Sequence, residues 1–168
     1  LFQQGEFRTG KPPLEKTRTV ENPRPFAGYT HGYNHALFAH RVHDALTLIA
    51  AIREHDSAPA AIHLVGVNGA APWAAAARAQ AGAEIVKLAV DTQGFRFKDL
   101  DSYRDINFLP GAVKYGDLPA LLALSAPHPL AITGEPSGTP KIVTAAYKSA
   151  NASNNLAQPN KLTDWLLQ

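Results

Sequence analysis

The segment Ala61-Ile-His-Leu-Val-Gly-Val-Asn-Gly-Ala-Ala-Pro-Trp73 constrains the fold more than any other part of this chain. Residues 61–67 form a short apolar run without clean polar alternation, the pattern of a parallel strand covered on both faces. Gly66-Val67-Asn68-Gly69-Ala70 interrupts that run with a turn, and residues 71–81 read as a helix made almost entirely of Ala. Pro72 falls near its first turn, where a missing N–H leaves no bond unmade. Alanine side chains let such a helix lie very close to a sheet. A strand that turns sharply into a close-packed helix is the first half of a βαβ crossover.

The same alternation continues downstream. Residues 84–90 predict a second strand ending at Asp91, and residues 118–125 a short helix with Pro119 in its first turn. Residues 129–133 predict a third strand, followed by Gly134-Glu135. Thr139-Pro140 introduces a helix to about residue 150, residues 151–155 read as a polar loop, and a short helix follows Pro159. Upstream, Asn34 has the chemistry of an N-cap, and Phe38, Val42, Ala45, Ile49 and Ile52 share one face of a helix running to about residue 54. Pro12, Pro13, Pro23 and Pro25 forbid a continuous helix before that, so residues 1–30 are expected to form an extended arm. Residues 31–168 are then a single α/β domain with a short, mostly parallel sheet.

Composition narrows the function classes. A formal charge of +2, with basic residues scattered, argues against nucleic-acid binding. The chain has no Cys, which excludes disulfides, thiol catalysis and thiolate metal sites. No apolar run approaches the roughly 20 residues that span a bilayer, and no signal-peptide pattern is visible, so a soluble chain is expected. Met is absent even at position 1, which suggests a processed product or a piece of a longer protein. Neither G-x-G-x-x-G nor a Walker loop occurs, so no nucleotide cofactor is expected.

Four stretches carry a resemblance: Phe26-Ala-Gly-Tyr-Thr-His-Gly-Tyr-Asn-His35, Arg41-Val-His-Asp44, His63-Leu-Val-Gly-Val-Asn-Gly69 and Ala126-Pro-His-Pro-Leu130. Together they resemble the C-terminal half of an α/β-hydrolase, similar to bacterial acetyl-xylan-esterase and prolyl-oligopeptidase-like hydrolases. The resemblance spans about residues 20–135. It implies a three-layer α/β/α arrangement, a partial α/β-hydrolase fold. It also implies an ester or acyl ligand, of the esterase or lactonase class. In that family the nucleophile sits in a Gly-x-Ser-x-Gly elbow after the fifth strand, which maps onto Asn68. The acid maps onto Glu135, with Asp91 as a second position. The family's late histidine has no counterpart, because no His follows His128. Ser and His of the triad are therefore both missing.

Asn68, Asp91 and Glu135 are the catalytic candidates on this reading. Asn tolerates positive φ, so Asn68 is open to a conformational role as well as to a substrate-binding one; its amide is a poor nucleophile. Asp91 and Glu135 end strands at the edge where open α/β sheets collect ligands, and they read either as an acid–base pair or as solvated loop carboxylates. His31, His35, His40 and His43 cluster in sequence. Only His40 and His43 share a helix face, and a zinc site needs three or four convergent ligands, so no metal is expected. His63 is expected in the core and His128 as a loop anchor. Trp73 is expected to anchor helix to sheet or to line a pocket mouth. Phe95, Phe97, Tyr103, Phe108 and Tyr115 are expected to cover the core or the strand edge. Three or four strands would leave one sheet edge bare, and a homodimer or a companion N-terminal chain would cover it.

Overall fold

The computed structural model describes residues 10, 12, 14–19 and 27–167. Four strands form one fully parallel sheet in the order β1-β2-β3-β4: β1 His63–Gly66, β2 Lys87–Asp91, β3 Leu130–Thr133 and β4 Leu156–Ala157. The expected α/β class with a parallel sheet is therefore observed. Helices α1 Ala27–His31 and α2 Leu37–Glu54 precede β1. Helices α3 Ala71–Ala81, α4 Asp117–Ala123 and α5 Lys141–Ser149 join consecutive strands, and α6 Leu162–Leu166 follows β4. Parallel neighbours require such crossovers, because a hairpin reverses the chain.

Packing follows from side-chain size. Residues Ala71 to Arg78 of α3 are all buried, and α3 touches α2, α4, β1 and β2. The helix approaches β1 so closely that a Cβ on Gly66 would stand 2.8 Å from both the Ala71 Cα and the Ala74 Cβ. Leu88 and Val90 of β2, and Leu130 and Ile132 of β3, join the main apolar cluster with Phe38, Val42, Leu118, Leu122, Val143 and Tyr147. Ala89 and Ala131, on the alternate face, are also fully buried. Helix α6 lies against β2 and β3, with the Lys87 ammonium 5.3 Å from the centre of the Trp165 ring.

Several expectations need correction. The run 61–67 is not covered on both faces: it yields the edge strand β1, whose His63 and Val65 are exposed. His63 is therefore no core residue. Asn34 does not cap α2, whose N-cap is Ala36; the Asn34 Nδ2 instead donates to the Thr30 carbonyl at 2.8 Å, closing α1. Residues 27–30, assigned above to the extended arm, are helical because no proline interrupts them. Of the arm residues described before α1, Lys16 pairs with Asp105 in an isolated antiparallel bridge, and the Thr17 N–H donates to the Arg104 carbonyl at 2.7 Å. The rest of residues 1–26 lies outside the described residues. The polar stretch 151–155 is a turn ending in a short 3-10 segment, and β4 after it is too brief to announce itself by pattern. Tyr115 is 74% exposed and outside the core, whereas Phe97 is buried edge-on to Phe38 and Phe95. Among the described residues, no helix is long and apolar enough to cross a membrane.

Candidate functional site

The C-terminal ends of β1, β2 and β3 form one edge, and register places the three candidates along it. Gly66 pairs with Val90 and Asp91 with Thr133, so Asp91 is the last paired residue of β2 while Asn68 and Glu135 emerge just beyond the paired residues of β1 and β3. Chain reversal there uses left-handed backbone. Asn68 has φ 53° and Gly69 φ 85°, and the Ala70 N–H closes onto the Val67 carbonyl at 3.1 Å. Two positive φ values inside one closed four-residue turn are the signature of type I′, which selects Asn-Gly. Gln93 and Gly94 repeat it after β2, with φ 50° and 70° and a bond from the Phe95 N–H to the Thr92 carbonyl of 2.9 Å. Conformation therefore accounts for Asn at position 68 without any chemical role.

Asp91 is half-buried, and its Oδ1 accepts the Gln93 N–H at 3.2 Å. Gly134 (φ 75°) lies so close that any Cβ there would run into this carboxylate. Thr92 and Thr133 tie the strand ends together: the Thr92 hydroxyl donates to the Thr133 carbonyl at 3.3 Å, and the Thr133 hydroxyl to the Val90 carbonyl at 3.4 Å.

Glu135 is held differently. Its carboxylate is 4% exposed, and both oxygens are engaged by Arg96, at 3.1 Å from Nη1 and 2.5 Å from Nη2. This fork-on-fork geometry is the strong form of an ion pair. It raises the Arg96 pKa above its ordinary value, the hydrogen bond to Glu135 outweighing the opposing effect of burial. A carboxylate with both oxygens so occupied is poorly placed to take a proton from water. Among the described residues, none of the three candidates hydrogen-bonds to another.

Sequence reasoning missed three residues at this edge. Arg96 carried no signal beyond being a cation between two phenylalanines. Asp117 (φ 62°) accepts from the backbone N–H groups of Phe97, Lys98 and Leu118 at 2.8, 3.0 and 2.6 Å, pinning the loop after β2 to the start of α4. Arg41 is 1% exposed and lays its guanidinium 4.4 Å from the centre of the Trp73 ring, while its Nε and Nη1 have no hydrogen-bond partner. Burial lowers its pKa, against a smaller opposing effect from Asp105. Trp73 is thus an anchor, between α2 and α3.

The histidines disperse. His31 packs on Tyr103 and Phe108, His35 meets His40 edge-on at 5.8 Å between centroids, and His43 is exposed. No group of three potential metal ligands converges among the described residues. His128 holds its loop through its carbonyl, which accepts the Tyr147 hydroxyl at 2.5 Å; burial, then the Arg78 charge, lowers the imidazole pKa. No protein-family model matches this chain, and neither a curated protein nor a solved structure matches it significantly.

Proposed function

We propose that this chain is an α/β-hydrolase-like protein, related in design to ester and acyl hydrolases, whose strand-end edge binds rather than turns over its ligand. On this reading the helices packed around α3 form one layer, the sheet the second, and α6 the third. The support is the order of elements, the sharp bend at Asn68 and the close α3 contact that only Gly66 allows. One observation carries the non-catalytic half of the reading: both Glu135 oxygens are taken by Arg96, in a chain that already lacks the nucleophilic Ser and the late His. The backbone N–H groups of Asn68 and Gly69 and the Asn68 amide remain as donors for a carbonyl-bearing ligand.

The test is direct. The full chain should show no labelling by a serine-directed fluorophosphonate and no hydrolysis of p-nitrophenyl acetate above buffer. Saturable hydrolysis would overturn it and favour the runner-up, an atypical esterase or lactonase. That alternative is favoured by Asp91, which stands half-buried at the same edge and would act as general base on water. Asp91→Asn would then abolish turnover.

The bare edge supports a second, compatible reading. Among the described residues β1 pairs on one side only, and Val65 and Val67 are 43% and 42% exposed beside it. Unpaired strand edges recruit other strands, so a homodimer or a companion chain would cover β1. Sedimentation of a single monomer species across micromolar concentrations would eliminate the homodimer.

A further inference from the structure

Asn68 and Gln93 lead matching turns at the same sheet edge, and each is followed by Gly. The two turns differ in what holds the glycine nitrogen. The Gly94 N–H donates to the Thr92 Oγ1 at 3.3 Å, and the Gln93 N–H before it to the Asp91 Oδ1 at 3.2 Å. Position 67 is Val, which offers no such acceptor, and among the described residues nothing accepts the Gly69 N–H. Asn68 and Gly69 are both exposed, and a Cβ on Gly69 would meet nothing within 4 Å, whereas the Pro136 ring stands 3.7 Å from the equivalent point on Gly94. No other Asn in the sequence is followed by Gly.

An asparagine amide carbon and the nitrogen of the next residue are reactants tethered in one chain. The Gly69 nitrogen attacks the Asn68 Cγ and loses its proton, the bond from Cγ to Nδ2 breaks, and ammonia leaves carrying that proton. The product is a succinimide, which water then opens. Cleavage at Cγ restores the main chain with aspartate at position 68. Cleavage at the backbone carbonyl leaves isoaspartate, with the main chain running through Cβ and Cγ. On either route the Gly69 nitrogen regains a proton from water, and a neutral amide becomes a carboxylate. Glycine suits the step because it has no Cβ to hinder the nitrogen. Glutamine carries one more methylene, so Gln93 would have to close a larger ring with a further torsion frozen. The type I′ backbone turns the Gly69 nitrogen away from the Asn68 side chain. The bond from the Ala70 N–H to the Val67 carbonyl, 3.1 Å long, therefore has to open before the ring can close.

We infer that Asn68 is a site of spontaneous covalent modification, deamidating through a succinimide with Gly69 and so placing a carboxylate at the strand-end edge. The inference rests on turn geometry and stands apart from the hydrolase reading. Its consequence for ligand binding does rest on that reading: an amide donor is replaced by a group that only accepts, which ends recognition of a carbonyl by this side chain.

Gln93→Asn puts Asn-Gly into both turns, so one molecule reports on both. The full chain of this variant, incubated near neutral pH in heavy-oxygen water, is followed by peptide mass spectrometry for label entering at each position. In the folded chain, label should enter at residue 68 about three- to tenfold faster than at residue 93, the worth of the hydrogen bond that holds the Gly94 N–H. In urea sufficient to unfold the chain, both rates should rise and converge. In the parent chain, residue 68 should take up label ahead of every other Asn and of Gln93. The proposal is overturned by absence of label at residue 68, by label reaching another Asn first in the folded parent, by equal rates at the two turns of the folded variant, or by a rate at residue 68 that unfolding leaves unchanged.

Discussion

Removing Arg96 should unfold this protein more readily than removing its partner, although both changes break the same ion pair. Arg96→Leu strands a carboxylate that is only 4% exposed. Breaking a buried pair in this way costs about 3–5 kcal/mol; the Arg96 side chain is 20% exposed, which admits some water and favours the lower end, about 3 kcal/mol. Glu135→Ala loses the same two hydrogen bonds but leaves a long cation that can swing into solvent, so about 1.5–2 kcal/mol is expected. The double variant leaves no orphaned charge and should cost about 2 kcal/mol, well short of the sum. Urea unfolding followed by tryptophan fluorescence reads this directly, since Trp73 is buried in the fold. With a slope of about 2 kcal/mol/M, the midpoint should fall by about 1.5 M for Arg96→Leu and about 1 M for Glu135→Ala and for the double variant. Strictly additive losses, or an Arg96→Leu variant within about 0.5 kcal/mol of the parent, would falsify the view that Glu135 is an anchor rather than a free base.

Three further outcomes follow from the strand-end geometry. Asn68→Gly should be nearly neutral, whereas Asn68→Val should cost about 1–2 kcal/mol in chemical denaturation because a β-branched residue resists φ 53°; equal costs would remove the turn-based explanation. Gly66→Ala should destabilise by about 1–3 kcal/mol, since the new methyl meets the Ala71 Cα and Ala74 Cβ at 2.8 Å, and an unchanged melting temperature would mean that α3 can retreat freely. Asp117→Ala removes the acceptor of three backbone N–H groups and should cost about 2–4 kcal/mol, with faster amide exchange at Phe97 and Lys98; unaltered exchange there would show that the loop is held by something else.

Local pattern alone was enough to place β2, β3 and most of the helices. The alanines of residues 71–81, a proline near the first turn and a turn signal before them left little choice but a helix pressed onto a parallel sheet, and α3 occupies those residues. The helical face of Phe38, Val42 and Ile49 was likewise legible, and all three are buried. Such signals are local: periodicity, turn chemistry and proline act within one or two turns of chain. What tertiary structure alone decided was which apolar run would be an edge. Residues 61–67 read as doubly covered, yet burial depends on neighbours that the run itself does not encode, and among the described residues β1 has only one strand beside it. The same holds for the candidate site. Sequence put Asn68, Asp91 and Glu135 at strand ends, but the pairing of Glu135 with Arg96, 39 residues away, exists only because β2 and β3 lie side by side. A carboxylate's chemistry is set by what surrounds it in space, and that is fixed only once the sheet has formed.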